Sequence, residues 1–123
     1  MSEQSLVAVV DDDHCFRLSM RRLLESLGYP VVVFASAAEF LSSPALSATR
    51  CLVADVHMPA MTGIELYLHL VDTGPTISTI LVTAYPDEDV ADRMLGLGVA
   101  SYLRKPLEEA ALIDCLRAVF AAQ

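Results

Sequence analysis

Residues 6–13 read LVAVVDDD, five apolar residues followed by three consecutive aspartates. An apolar run of this length is typical of a strand that is buried on both faces. Three adjacent carboxylates repel one another, and no cation lies next to them in sequence. A helix N-cap explains one of them, Asp13, but not all three. The stretch therefore predicts a strand that ends at carboxylates able to bind a divalent cation.

The rest of the chain alternates short apolar runs with longer helical patterns, which predicts an α/β fold with a parallel sheet. The predicted strands are Leu6–Val10, Val31–Phe34, Cys51–Asp55, Ile80–Thr83 and Ser101–Leu103. Five helices are predicted between and after them. The first ends at Gly28, the second opens with a capping box at Ser36–Glu39, and the third follows Gly63. The fourth starts near Pro86 with three acids in its first turn, and the fifth starts near Leu107. We expect residues 1–123 to form a single domain.

Composition limits the class of protein. Sixteen acidic and eight basic residues give a formal net charge of −8, so this domain is not expected to contact nucleic acid directly. No apolar stretch approaches the roughly 20 residues of a membrane span. Residues 1–5 lack the features of a signal peptide, so we expect a cytoplasmic protein without membrane contact. The cysteines and histidines lack zinc-ligand spacing, and the cysteines are expected to be reduced.

In open parallel sheets, functional residues collect beyond the carboxyl ends of the strands. The predicted strand ends carry Asp11 and Asp12, Asp55, Thr83 and Lys105. Carboxylates are ligands that Mg²⁺ prefers, whereas a hydroxyl and an ammonium suit a phosphoryl group. Lys105 is the only lysine in a chain whose other basic residues are seven arginines. The set predicts a site for Mg²⁺-dependent phosphoryl transfer.

Four motifs, VVDDD (Val9–Asp13), DVHMPAMTG (Asp55–Gly63), LVTAY (Leu81–Tyr85) and YLRKP (Tyr102–Pro106), together resemble the receiver family of two-component response regulators. FASAAEFL (Phe34–Leu41) is further similar to receivers of the FixJ/NarL type, which usually precede a DNA-binding domain. The resemblance implies a CheY/flavodoxin-like, doubly wound sheet of five parallel strands in the order 2-1-3-4-5, flanked by five helices. It implies a signalling switch that catalyses only its own modification, with any output domain outside this chain.

The resemblance also implies an acceptor and a metal site. Asp55 would accept a phosphoryl group from a sensor histidine kinase or a phosphotransfer protein. Mg²⁺ would be bound by Asp12, Asp55 and the backbone carbonyl of His57, with Asp11 acting through water. The bond between Lys105 and the following proline is expected to be cis, as is usual in the family.

By the same resemblance, Thr83 and Lys105 would bind the phosphoryl oxygens. Thr83 and Tyr102 would act as a switch that produces a homodimer through helix four and strand five after phosphorylation. Tyr85 lies where side chains of the family tune the lifetime of the phosphate. Tyr85 as a plain loop aromatic, and Tyr102 as a plain half-buried strand residue, are the alternatives.

Three other functions are alternatives to this one. A haloacid-dehalogenase-type Mg²⁺ phosphatase could use Asp11 and Asp13, but Cys15 stands where its motif has threonine or valine, and its second acid pair is absent. A flavodoxin-like FMN binder lacks the phosphate loop after strand one. A stand-alone response regulator that acts by protein–protein binding stays open.

Overall fold

The computed structural model describes residues 6–121, which form a five-stranded parallel sheet. Residues 1–5, on which the expectation about a signal peptide rests, lie outside this range. The strands are β1 (Leu6–Val10), β2 (Val31–Phe34), β3 (Thr49–Asp55), β4 (Ser78–Thr83) and β5 (Ser101–Arg104). Their order is β2-β1-β3-β4-β5 and all four pairings are parallel, which confirms the predicted topology.

The helices of residues 6–121 are α1 (His14–Ser26), α2 (Ala37–Leu41), α3 (Gly63–Thr73), α4 (Glu88–Gly96) and α5 (Glu109–Ala121). A 3-10 helix, Pro44–Ala48, follows α2 and was not predicted. Asp13 is the N-cap of α1, as expected, because its carboxylate accepts hydrogen bonds from the next helical N–H groups. None of these helices is both long and apolar enough to cross a membrane.

Helix starts differ from the prediction in detail. Ser36 Oγ accepts the N–H of Glu39 at 3.2 Å, but the Glu39 carboxylate accepts the N–H of Ala35, so the reciprocal bond of a capping box is displaced by one residue. A complete capping box lies instead at the start of α3. Helix α4 begins two residues later than expected, because Asp87 is its N-cap and not part of its first turn.

Two apolar layers cover the sheet. Alternate residues of β1 enter opposite layers: Ala8 and Val10 pack with α2, α3 and α4, whereas Val7 and Val9 pack with α1 and α5. All four of these β1 side chains are buried. Because both faces are covered, the carboxyl edge is where strand-end side chains can meet a ligand.

Candidate functional site

Backbone hydrogen bonds to β4 continue past the ends of its two neighbours, β3 and β5. The N–H of Val56 donates to the carbonyl of Val82 at 2.8 Å, and the N–H of Lys105 donates to the carbonyl of Thr83 at 2.8 Å. Val56 immediately follows β3, and Lys105 immediately follows β5. The side chains at the carboxyl edge therefore project from backbone that is already fixed.

Three carboxylates meet at this edge. One oxygen each of Asp11, Asp12 and Asp55 lies within 4.8 Å of the other two. Asp11 and Asp55 are buried, whereas Asp12 is exposed. Burial and the charge of Asp11 raise the pKa of Asp55, outweighing the lowering effects of Lys105 and of the His57 N–H; the Asp12 charge adds to the increase. The cluster thus has an excess of negative charge that a further cation would offset.

The Lys105 ammonium lies among these acids. Its Nζ is 2.7 Å from Asp11 Oδ2 and 3.6 Å from Asp55 Oδ2. Burial by itself lowers the pKa of Lys105, but the hydrogen bond to Asp11 and the charges of Asp11, Asp55 and Asp13 raise it overall. The peptide bond between Lys105 and Pro106 is cis, as expected. Lys105 is therefore a fixed positive charge beside the predicted acceptor.

The donor set fits Mg²⁺. Ligand distances of about 2.0–2.1 Å in an octahedron place adjacent oxygens about 2.9 Å apart and opposite oxygens about 4.2 Å apart. One oxygen of each of the three carboxylates lies within 4.8 Å of the others, so a single ion could lie among them. Both Asp11 oxygens already have protein partners, because Oδ1 accepts the N–H of Asp13 at 2.9 Å and Oδ2 bonds Lys105. This is compatible with the predicted indirect role of Asp11, and direct ligation by Asp12 and Asp55 stays a prediction.

Thr83 lies at the end of β4 and is fully buried. Its hydroxyl oxygen accepts the N–H of Tyr85 at 2.9 Å. The Tyr85 side chain is exposed, and its ring contacts the His57 ring edge-on with 5.5 Å between centroids. The His57 N–H donates to Asp55 Oδ1 at 3.3 Å. The pair of rings thus lies beside the predicted acceptor, and a role of Tyr85 in phosphate lifetime stays a prediction.

Tyr102 does not join the carboxylates. It is half-buried on β5 and packs against the layer formed with α2, α3 and α4. Its hydroxyl oxygen accepts the N–H of Asp87 at 3.4 Å. The predicted switch residue is therefore connected to the N-cap of α4, a link that the sequence did not indicate.

Two residues of the first turn of α1 also reach the site. Arg17 Nη1 donates to the carbonyl oxygen of Asp11 at 2.7 Å. The Lys105 Nζ lies 4.3 Å from the centroid of the Phe16 ring. The periodicity of the sequence places Phe16, with Met20, Leu24 and Leu27, on the apolar face of the first helix, and it does not indicate the contact with Lys105. The available signal was its spacing, since side chains in a first helical turn point back toward the strand end that precedes them.

Gly63 holds α3 against the acceptor strand. Its N–H donates to the carbonyl of Val56 at 3.2 Å. A Cβ at this position would collide with the carbonyl oxygen of Asp55 and lie 2.9 Å from its carbonyl carbon. Only glycine allows this approach.

We expect Gly63→Ala to lower the free energy of unfolding by about 1–3 kcal/mol, because the methyl group must displace the backbone of Asp55. Gly96→Ala is the matched control, since a Cβ on Gly96 meets nothing within 4 Å, and in a helix it should change stability by less than about 1 kcal/mol in the favourable direction. Urea unfolding followed by circular dichroism measures both. Equal stability of the two variants would contradict the close approach.

Comparison with known proteins agrees with this geometry. Residues 7–117 match the family model described as the response regulator receiver domain. The transcriptional regulatory protein FixJ of Azorhizobium caulinodans is 39% identical over 118 residues, which cover 96% of this chain and 56% of FixJ. The response regulator TodT of Pseudomonas putida strain F1 is 32% identical over 114 residues, which cover 93% of this chain and 50% of TodT.

Solved structures give the same result. The response regulator StyR superposes with a TM-score of 0.86 and 37% sequence identity, over 95% of this chain and 59% of the StyR chain. The chain thus spans about half the length of the curated relatives above. Since the family model matches nearly all of the sequence and the acidic edge is assembled as the family motifs require, the chain belongs to the receiver-domain family of two-component response regulators.

Proposed function

We propose that this receiver accepts a phosphoryl group on Asp55 in a Mg²⁺-dependent reaction, with a phosphohistidine of a sensor histidine kinase or phosphotransfer protein as the donor. The observation that carries the proposal is the position of the Lys105 ammonium, which is 2.7 Å from Asp11 and 3.6 Å from Asp55 inside a group of three carboxylates. An acceptor carboxylate needs positive charge beside it when a dianionic group approaches.

In the proposed reaction a carboxylate oxygen of Asp55 attacks phosphorus, and the bond from phosphorus to the donor imidazole nitrogen breaks. The imidazole leaves with the electron pair of that bond. Lys105 and the Thr83 hydroxyl would donate to the phosphoryl oxygens as they reach the acceptor. Bound by Asp12, Asp55 and the His57 carbonyl, with Asp11 through water, Mg²⁺ would supply the charge that offsets the crowded oxygens. Water later hydrolyses the acyl phosphate, and the receiver returns to its starting state.

The test is uptake of one phosphoryl group, measured by intact mass, when the protein is incubated with acetyl phosphate and Mg²⁺. Hydroxylamine should remove the group, because acyl phosphates react with it. A folded protein that gains no phosphoryl group would overturn the proposal. Steady turnover of a small phosphomonoester such as p-nitrophenyl phosphate would instead favour the haloacid-dehalogenase-type phosphatase.

The proposed output is a change at helix α4 and strand β5. Phosphorylation adds about −1.5 to −2 charges at the acceptor. A Thr83 hydroxyl that turns to the phosphoryl group would release the N–H of Tyr85, which it now accepts. The loop from Tyr85 ends at Asp87, whose N–H donates to the Tyr102 hydroxyl. Two hydrogen bonds and the backbone between Tyr85 and Asp87 therefore connect Thr83 on β4 with Tyr102 on β5.

We expect the receiver to be monomeric and to form a homodimer through α4 and β5 when beryllofluoride, a phosphoryl mimic, is bound with Mg²⁺. Sedimentation velocity at tens of micromolar protein, a range suited to a weak interface, measures the change in mass. Thr83→Ala should still bind beryllofluoride, though more weakly, and should dimerise less at saturation. Normal dimerisation of that variant would contradict the route through Thr83 without contradicting the acceptor.

The match covers 56% of FixJ and 50% of TodT, and FixJ is by name a transcriptional regulatory protein. We infer that this receiver likewise controls a DNA-binding output domain outside residues 1–123, in the cytoplasm. The net charge of −8 leaves nucleic-acid contact to that domain. A regulator that acts through protein contacts alone is the second candidate, and the sequence encoded after Gln123 distinguishes the two.

A further inference from the structure

The Lys105 ammonium has a third neighbour besides Asp11 and Asp55. Its Nζ lies 4.3 Å above the centroid of the Phe16 ring, well within the roughly 6 Å at which an aromatic face attracts a cation. The Lys105 side chain is only 17% exposed. The contact is therefore partly shielded from water, which strengthens it compared with a surface pair.

The ring is held in place independently of Lys105. Phe16 lies in the first turn of α1, three residues after the N-cap Asp13. It packs against the apolar layer shared by α1 and α5. The next residue, Arg17, bonds the carbonyl oxygen of Asp11. This turn of α1 is thus tied to the same strand end that supplies the acid partner of Lys105.

Without the ring, the ammonium would have room to leave. A cavity of about 530 Å³ lies between α1 and the segment after β5, and both Lys105 and Phe16 line it. The side chain of Lys105 is a flexible four-carbon stem with a point charge at its end. Asp11 holds that charge at 2.7 Å, but Asp55 lies 3.6 Å away and constrains it less.

We propose that Phe16 is a positioning residue for the phosphoryl-transfer site, whose ring face keeps the Lys105 ammonium between Asp11 and Asp55. The inference rests on the proposed function, since it concerns the group that meets the phosphoryl oxygens. In this proposal Phe16 acts through Lys105 and is neither a phosphoryl acceptor nor a ligand of Mg²⁺.

The first experiment compares rates of phosphorylation by acetyl phosphate. Phe16→Leu keeps an apolar side chain but removes the ring face, and it should slow phosphorylation about fivefold. Phe16→Tyr keeps the ring face and should recover most of that loss. Phe120→Leu is the matched control, because Phe120 is a half-buried aromatic of the same layer that stacks on Tyr29. Phe120→Leu should lower the free energy of unfolding without slowing phosphorylation.

The second experiment does not depend on phosphorylation. Because Lys105 is the only lysine, protein labelled with ¹³C-lysine gives a single ε-methylene signal. The ring current of Phe16 should shift its protons upfield in the wild type and in Phe16→Tyr, and the shift should disappear in Phe16→Leu.

The outcomes separate the two proposals. A lost upfield shift with an unchanged rate overturns the positioning role, and so does a shift that persists in Phe16→Leu. A wild type that takes up no phosphoryl group, yet shows the ring-current shift, refutes the proposed function and leaves the contact. If Phe16→Leu does not fold, a ring-fluorinated phenylalanine at residue 16 keeps the shape and weakens the negative ring face; a normal rate with that residue would also overturn the proposal.

Discussion

Asp55→Asn is expected to abolish phosphoryl uptake from acetyl phosphate, because the amide lacks the anionic oxygen that attacks phosphorus. The neighbouring acids offer no substitute: Asp11 is fully buried with both oxygens bonded, and Asp12 lies on the exposed side of the cluster. Intact mass after incubation with Mg²⁺ measures the loss. Asp72→Asn, an exposed acid at the end of α3, is the control and should react like the wild type.

The same variant should be more stable than the wild type in the absence of divalent cations. Burial and the charge of Asp11 raise the pKa of Asp55 in the folded state. Ionised Asp55 therefore destabilises the folded state. This destabilisation is absent below the pKa of an unfolded aspartate, about 3.9, and is complete once the pH has risen through the pKa of Asp55 in the folded state. Thermal melts in EDTA should show a higher midpoint for Asp55→Asn at pH 7 and a shrinking difference toward pH 4. Stable phosphorylation of this variant at the wild-type rate would refute the acceptor.

Asp12→Ala is expected to weaken Mg²⁺ binding at least tenfold, since it removes one of the two carboxylates that are predicted to bind the ion directly. Asp13→Ala removes the adjacent acid, but the Asp13 carboxylate accepts the N–H groups of Cys15 and Phe16. That variant should lose about 1 kcal/mol of stability with the helix cap and bind Mg²⁺ within about threefold of the wild type.

If the roles are assigned correctly, titration calorimetry shows the larger loss of Mg²⁺ affinity for Asp12→Ala, and urea unfolding shows the larger loss of stability for Asp13→Ala. Asp12→Ala relieves repulsion between carboxylates and should be at least as stable as the wild type without Mg²⁺. Removal of Mg²⁺ with EDTA should prevent phosphorylation of every variant. Equal losses of Mg²⁺ affinity at positions 12 and 13 would mean that the acidic run is read one residue out of register.

The parallel sheet and its acidic edge followed from a few residues, whereas the order of the strands came from the family resemblance. An apolar run that stops at Asp11 must place that acid at a carboxyl edge, and the same holds for Asp55 and Thr83 on their own strands. Parallel pairing then brings these residues together, whatever the intervening sequence. The five strands were found for this reason, with differences at three of their boundaries. β3 begins at Thr49 instead of Cys51, β4 begins at Ser78 instead of Ile80, and β5 ends at Arg104 instead of Leu103.

Other features needed the three-dimensional arrangement. Ser36–Glu39 and Thr62–Glu65 have similar capping sequences, but only the second closes both bonds, because the geometry of the chain before the helix decides which N–H is within reach. The contact of Phe16 with Lys105 joins residues at opposite ends of the sequence. No local pattern encodes such a distance, so the sequence supported only the general expectation that Phe16 is apolar and faces inward.

The order of the strands separates the site into two mechanical parts. Asp11, Asp55 and Thr83 lie at the ends of β1, β3 and β4, each of which has a hydrogen-bonded strand on both sides. Tyr102 belongs to β5 and Lys105 directly follows it. This edge strand has one neighbour, and its side chains are half-buried except for the exposed Arg104. Backbone amides of inner strands exchange with solvent only in rare, near-global openings, whereas edge strands fray in local ones. The three carboxylates and Thr83 thus keep their alignment through local openings of β5, and the receiver can rearrange Tyr102 at this edge without moving them.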